Sequence, residues 1–286
     1  MNYRHDFHAG NYADVFKHVL LLKLLRAMQR KEKGFLYLDT HAGRGAYDLA
    51  AAVAGSERTP EWPAGIGCLW KEQELPSVLD DYMALVRGFN KTRGGGEAKP
   101  RYYPGSPSIA ALVRRPQDRL IFWEREDRVV CKLRDEVAWS CGTAVECGDG
   151  YKSLRAALPP VERRALVLID PPFEDQGEYE AILGALTEGI RRFPSGVYVI
   201  WYPVTERAQA ETFQRRLRLR LGQPTLGAEL AVTADPQVRM KGCGLVVVNP
   251  PWGFADEVQG LLPALTEQLG VDASASSRWE WLVPER

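Results

Sequence analysis

Six short runs along the chain read as strands, most of them apolar at both odd and even positions: GFLYLD (34–39), RLIFWE (119–124), TAVECGD (143–149), ALVLID (165–170), GVYVIWY (196–202) and GCGLVVVN (242–249). A strand with one wet face alternates apolar and polar residues, so runs without alternation predict strands buried on both faces. Between several of them lie segments of helical spacing and length, at 125–139, 150–158, 177–193 and 206–221. Strand and helix in alternation predict βαβ units and a mainly parallel sheet. In such sheets ligands sit beyond the carboxyl ends of the strands, near the switch in strand order. Two similar tetrapeptides, DPPF (170–173) and NPPW (249–252), each close one of these runs and are expected on that edge.

Residues 54–103 break the rhythm. They hold one helix-like stretch, LPSVLDDYMALVRGF (75–89), and then NKTRGGGEAKPRYYPG (90–105), which is glycine-rich, basic and without periodicity. This reads as an inserted subdomain, with 1–53 and 104–286 forming the main domain. The last stretch, VDASASSRWEWLVPER, begins as a linker, and its two tryptophans are expected to dock on the body.

Composition narrows the class. A chain of 286 residues, 45% apolar, can bury one large core. The 37 basic and 37 acidic side chains cancel, so any nucleic-acid or membrane contact must be local. Five cysteines without a CxxC pair or a neighbouring His argue against a metal site or a disulfide framework. The polar start MNYRHDFHAGNYADVFKH is no signal peptide, and no apolar run approaches the roughly 20 residues of a membrane span, so a cytoplasmic protein is expected.

The chemistry gathers at strand ends. The first run continues into LDTHAGRGAY, a glycine-containing turn expected to lead into a helix, where backbone N–H groups can approach a ligand. The second ends in Glu124, placed to accept hydrogen bonds from ribose hydroxyls, although about 80 residues past Gly45 instead of the usual 20 or so. The inserted segment accounts for that delay. Asp149 and Asp170 end the next two runs. In DPPF the Asp170 carboxylate and the Pro171 carbonyl can hold the hydrogens of an exocyclic amino group, whose lone pair is otherwise delocalised into the ring. Phe173 offers a face on which an extruded base can stack. The rate gain would come from positioning and aligned acceptors. Read alone, Asp-Pro-Pro is a strand exit and turn; the ordered series of strand-end acids is what favours chemistry.

That series resembles the class I S-adenosylmethionine-dependent methyltransferases acting on amino groups, whose signature is Asp, Asn or Ser followed by two prolines and an aromatic ring. The segments YRHDFHAGNYADVFKH, YLDTHAGRG, YYPGSP, DPPFE, NPPW and WLVPE, spread over nearly the whole chain, resemble the ribosomal RNA large-subunit methyltransferase J family. The resemblance implies a Rossmann-like α/β fold with a seven-stranded sheet and a small helical insertion. It implies S-adenosylmethionine as cofactor and methylation of N6 of an adenine, the one numbered 2030, in 23S ribosomal RNA free of ribosomal proteins. A monomer with no metal and no membrane contact is expected. His18, His41, Ser106, Glu124, Asp149, Gly150 and Asp170 are implied as cofactor contacts. Asp170 is implied as the catalytic carboxylate and Tyr3 as a residue touching RNA.

All four histidines fall within the first 41 residues. For His5 and His8 function and plain polarity stay open. Asn11 with Asp14 resembles a capping box, and Asp14 can pair with His18 one turn on. RNA contact has three candidate patches: residues 1–34, with an excess of about four positive charges; Lys91, Arg93, Lys99 and Arg101 beside Tyr102 and Tyr103; and RRLRLR (215–220), which reads more simply as a solvated helix face. NPPW either shapes the rim of a base pocket or lets Trp252 pack. Rival readings are a DNA-adenine or glutamine-amide methyltransferase and a non-catalytic RNA-binding assembly factor on the same fold.

Overall fold

The computed structural model describes residues 7–51, 59–72, 74–175 and 177–285. In chain order its elements are α1 (Tyr12–Gln29), β1 (Leu36–Asp39), β2 (Ala46–Asp48), α2 (Ile66–Lys71), α3 (Asp80–Thr92), β3 (Tyr102–Pro104), α4 (Ser106–Val113), β4 (Arg119–Glu124), α5 (Asp127–Val137), β5 (Thr143–Cys147), α6 (Gly150–Ala157), β6 (Ala165–Ile169), α7 (Glu178–Arg192), β7 (Val197–Val204), α8 (Arg207–Arg220), β8 (Thr225–Ala231), β9 (Gly242–Val248), α9 (Phe254–Leu269) and β10 (Ser276–Val283). All six apolar runs become strands of one sheet, in the order β10-β8-β9-β7-β6-β1-β4-β5. β5, β4, β1, β6 and β7 are parallel; β9 enters antiparallel to both β7 and β8, and β10 is antiparallel to β8.

The sheet therefore has eight strands where seven were expected. β10 adds the eighth on the β8 side, and it explains the two terminal tryptophans: Trp279 and Trp281 pack partly buried against the core from within that strand. β5, at the other edge, is more exposed than its apolar run suggested, because only one neighbour covers it.

One face of the sheet packs against α1, α4, α5 and α9, the other against α6, α7 and α8. α1 is apolar nearly all round and correspondingly buried, so it runs beneath the sheet and not along the surface. Its ends are tied down by side chains. Asn11 caps the N-terminus, its Oδ1 accepting from the Asp14 N–H at 2.9 Å; Asp14 Oδ2 accepts from the Gly10 N–H at 3.0 Å, one residue before the cap, so the expected capping box forms only its first half. At the other end Arg164 donates to the Met28 carbonyl at 2.6 Å and Arg115 to the Gln29 carbonyl at 3.0 Å, so two guanidiniums satisfy carbonyls the helix leaves open.

The glycine turn after β1 does not open a helix, contrary to expectation. The chain leaves the sheet there, pairs β2 with β3, builds α2 and α3, and returns, with the Gly105 N–H donating to the Gly45 carbonyl at 2.7 Å across the excursion. The helix N-terminus that would follow the turn is that of α4, beginning at Ser106. The expected insertion of 54–103 falls within this excursion, with 54–58 and residue 73 outside the described residues.

NPPW is not beside DPPF. β9 is antiparallel to β7, with Val248 opposite Tyr198, so Asn249 emerges at the amino-terminal edge of the parallel strands, away from Asp170. Nor does Trp252 pack: it is 89% exposed. Asn249 does the structural work, sitting at φ +52° and donating from Nδ2 to the carbonyls of Pro194 and Gly196 at 2.8 Å each. Asn tolerates this left-handed backbone because its short polar side chain bonds locally. Asn249→Ala should lower the urea-unfolding free energy by about 2 kcal/mol, from two unpartnered carbonyls and the strained backbone. Trp252→Ala should stay within about 0.5 kcal/mol of the parent. Equal midpoints for Asn249→Ala and the parent would show that the clamp holds nothing.

Candidate active site

The carboxyl ends of β1, β4, β5 and β6 bring Asp39, Glu124, Asp149 and Asp170 to one edge. At the glycine turn, Gly43 and Gly45 adopt φ +63° and +80°, and a Cβ at Gly43 would lie 2.8 Å from the Tyr47 hydroxyl. Glu124 fixes this turn: Oε2 accepts from the Gly43 N–H at 2.9 Å, and Oε1 from the Arg125 and Glu126 N–H groups at 2.7 and 3.0 Å.

Asp149 caps α6, accepting from the Tyr151 N–H at 3.0 Å. At Gly150 a Cβ would lie 1.8 Å from the Thr40 carbonyl oxygen, so only glycine lets the start of α6 come this close to the end of β1. His41 lies between them, with Nδ1 2.7 Å from the Thr40 hydroxyl and its ring edge-on to Tyr151, centroids 4.9 Å apart. Burial lowers its pKa to about 4, against the pull of Asp170 and Asp149, so the imidazole is neutral at pH 7. Ser106, 6% exposed at the first position of α4, hydrogen-bonds Asp39. Burial raises the pKa of Asp39 to about 6; the Ser106 bond opposes this and nearby Asp170 adds to it.

Asp170 is held from below by α1. Lys17 Nζ lies 2.6 Å from Asp170 Oδ2 and 2.9 Å from Asp14 Oδ1, with the Lys17, Asp14 and Asp170 side chains 6%, 4% and 16% exposed. Burial alone would pull the Lys17 pKa down; the two carboxylates override it and raise it well above the ordinary value. The expected partner of Asp14 was His18, and the ion pair formed is with Lys17 instead. Position i+3 points toward Asp170 at the strand end, while His18 turns to Tyr103, Nδ1 to hydroxyl 2.8 Å. His18 is 1% exposed and lies behind the edge, joined through Tyr103 to the Tyr82 hydroxyl at 2.9 Å. Lys17 is the site residue that sequence reasoning missed. Its signal was present, a lysine amid the otherwise apolar face of a helix destined for burial.

Phe173 follows at φ +51°, a strained value for an aromatic residue, and its ring meets those of Tyr179 and Trp201 at 5.2 and 5.7 Å. Tyr3 lies outside the described residues. Of the basic stretches, 215–220 is partly offset by neighbouring elements: Arg216 and Arg220 share Glu180, and Arg218 pairs with Glu280. Among the described residues no His, Cys, Asp and Glu cluster could hold a metal ion, and no helix is long and apolar enough to cross a membrane.

With this geometry the chain can be set beside known proteins. The family model described as ribosomal RNA large subunit methyltransferase D, RlmJ, matches residues 32–283. A protein of Haemophilus influenzae named ribosomal RNA large subunit methyltransferase J is 42% identical over 286 residues, covering all of both chains. Its Escherichia coli namesake is 41% identical over the same span. A crystal structure of a Legionella pneumophila protein, 35% identical, superposes with a TM-score of 0.86 over 96% of this chain and 98% of that one.

The charges of the site set its stability. Lys17→Met strands two buried carboxylates and should cost about 3–5 kcal/mol, with Asp170→Asn in the same chain restoring part of it. Strictly additive effects in that double-mutant cycle would refute the bridge. Asp39, its pKa raised from 3.8 to about 6, contributes stability that is present below about pH 4 and is lost as pH rises through about 6, about 3 kcal/mol in all. His41, lowered from 6.5 to about 4, acts with the opposite sign, its contribution present above about pH 6.5 and lost as pH falls through about 4. Asp39→Asn should therefore make stability climb more steeply from pH 4 to 6 than in the parent, and His41→Gln less steeply. Urea midpoints across that window check both, and superimposable profiles would rule the assignment out.

Proposed function

The chain belongs to the RlmJ family of ribosomal RNA large subunit methyltransferases, and from that premise we propose that it methylates N6 of one adenine of 23S ribosomal RNA, the adenine numbered 2030. The observation that carries this reading is the Asp14–Lys17–Asp170 bridge at the end of β6. S-adenosylmethionine supplies an electrophilic methyl group on a sulfonium cation. The edge fits such a donor: it is lined by carboxylates and carries the N-termini of α4 and α6, the latter brought against the end of β1 at Gly150. Glu124 accepts from ribose hydroxyls with the lone-pair capacity its three backbone bonds leave. His41, Ser106, Asp149 and Gly150 line the same site, and His18 supports it from behind.

Asp170 and the Pro171 carbonyl accept the two amino hydrogens of adenine. Lys17 holds Asp170 Oδ2, so Oδ1 is the oxygen presented to the substrate. Two carboxylates around one ammonium leave a net charge of about −1 at the strand end. As the methyl bond forms, positive charge develops on N6, and this fixed negative charge stabilises it before Asp170 takes the proton. Phe173, with Tyr179 and Trp201 behind its ring, stacks on the extruded base, and Tyr3 contacts the RNA. RNA free of ribosomal proteins, met by a monomer in the cytoplasm, is the substrate form this reading expects.

The test uses labelled S-adenosylmethionine with protein-free 23S ribosomal RNA, followed by nucleoside digestion. Label should appear in N6-methyladenosine at a single position. Parallel incubations with adenine-containing DNA and with a glutamine-bearing protein separate the acceptors that share the same tetrapeptide. Asp170→Ala should still bind the cofactor in calorimetry while kcat falls by roughly a thousandfold or more. Asn249→Ala, at the far edge, should keep the parental kcat. Turnover retained in Asp170→Ala removes that carboxylate from the mechanism, and label absent from adenine under every RNA presentation removes the proposed activity.

A further inference from the structure

At the same edge as Asp170, toward β10, lies a cleft of about 50 Å3 lined by Arg207, Glu229, Ala231, Ser276, Ser277 and Arg278. That is room for a small polar group in an open-mouthed cleft. Its floor is Glu229, 3% exposed on β8. Oε1 accepts from the Tyr202 hydroxyl at 2.8 Å and from Gln214 Nε2 at 2.9 Å; Oε2 accepts from Arg207 Nη1 at 2.5 Å and Arg278 Nε at 2.7 Å. Those four bonds fill the carboxylate's acceptor sites. They also hold two guanidiniums side by side.

One carboxylate between two guanidiniums leaves a net charge of about +1, displayed on the open side. The Arg207 and Arg278 side chains are 42% and 45% exposed. Of five N–H groups each, Arg207 uses one on Glu229, and Arg278 uses one there and one on Gln214 at 3.3 Å. Glu280, two residues along β10, is paired with Arg218 and so does not cancel this charge. The guanidiniums are thus immobilised before any ligand arrives, which lowers the entropy cost of a second set of hydrogen bonds.

The position of the cleft gives it a purpose. β8 is three ladder steps from β6 and β10 four, so at about 4.8 Å per strand the pair of arginines sits roughly 14–19 Å along the edge from Asp170. Between them lies the loop joining β8 to β9, with Arg239 and Lys241, neither in an ion pair among the described residues. That loop is pinned at both sides, the Lys241 N–H donating to the Val204 carbonyl at 3.1 Å and the Tyr12 hydroxyl to the Met240 carbonyl at 2.9 Å. This pinned loop thus adds two basic residues on the carboxyl edge between the strand of the catalytic loop and the cleft.

We propose that the Arg207–Arg278 cleft binds a backbone phosphate of the RNA strand that carries the target adenine, and so fixes the register in which the base is delivered to Asp170. This rests on the RNA-methylating reading above. Bidentate guanidinium donors matched to phosphate oxygens, held on a filled carboxylate, are suited to a phosphodiester and carry no base specificity.

The experiment uses the full chain and a 23S ribosomal RNA fragment that the parent methylates; failure of the parent to methylate any RNA would count against the activity and not against the cleft. Removing both arginines would strand Glu229 in the core, so Arg207→Gln with Arg278→Gln is made in a Glu229→Gln background, with Glu229→Gln alone as the reference and S-adenosylmethionine affinity as the check of folding. Relative to that reference, KM for RNA should rise roughly tenfold with kcat unchanged. The slope of log K against log salt for RNA binding should shrink by about 0.7–0.9 for each phosphate that is no longer neutralised. An unchanged KM and salt slope in a variant that binds cofactor normally overturns the proposal, and so does an effect confined to kcat.

Discussion

The buried ammonium of Lys17 between Asp14 and Asp170 is the interaction on which the site depends. Each of these charges alone would be costly to bury, and together they are tolerable only in a geometry that satisfies all three. That requirement fixes where α1 must lie. Its first turn has to sit under the end of β6, which is why Asn11 caps it, why Asp14 is braced by the Gly10 N–H, and why arginines from two other segments tie down its far end. The apolar body of the helix supplies the burial energy, and the bridge supplies its register against the sheet.

The excursion between β1 and α4 is coupled to the same helix. Tyr82 on α3, Tyr103 on β3 and His18 on α1 form an unbroken buried hydrogen-bonded chain, and His18 is the residue after Lys17. Gly45 and Gly105 close the neck of the excursion on the side of the glycine turn. The long separation between that turn and Glu124 is therefore spanned by structure that holds the turn, since Glu124 itself grips Gly43 from β4. The segment read from sequence as an interruption is physically a brace between α1 and the turn.

Much of this was legible in the residues. All six runs proposed as strands are strands, most of them marked by an absence of alternation, and strand-end acids converged as the parallel order requires. What was hidden depends on partners far along the chain. TLGAELA (225–231) has weak strand propensity and becomes β8 because β9 and β10 flank it; SSRWEWLV becomes β10 because β8 presents a free edge. NPPW looked equivalent to DPPF because a strand's direction is invisible in its own sequence. Antiparallel pairing of β9 with β7 sends it to the opposite edge. Lys17 was counted with the basic excess of residues 1–34 as a candidate RNA contact, because a lysine reads as surface charge until its helix is known to be buried on every side. The same reasoning misassigned the partner of Asp14: spacing permits both i+3 and i+4, and only the position of Asp170 selects i+3.

A chain of zero formal charge must concentrate its charge to recognise a polyanion, and the pairing pattern shows how that can be done. On α8 the basic run is partly offset by Glu180 and Glu280, so a count of arginines along the sequence overstates the charge it displays. Two clusters on the carboxyl edge hold a surplus in fixed geometry around a buried group. At Glu229 two guanidiniums share one carboxylate, leaving positive charge; at Lys17 two carboxylates share one ammonium, leaving negative charge. Both clusters stand on the carboxyl edge of one sheet, about three to four strand spacings apart. Opposite surplus charges at that separation would orient a strand whose backbone is anionic and whose reacting amine turns cationic, phosphate toward the arginines and base toward Asp170, and neither cluster alone could set that polarity.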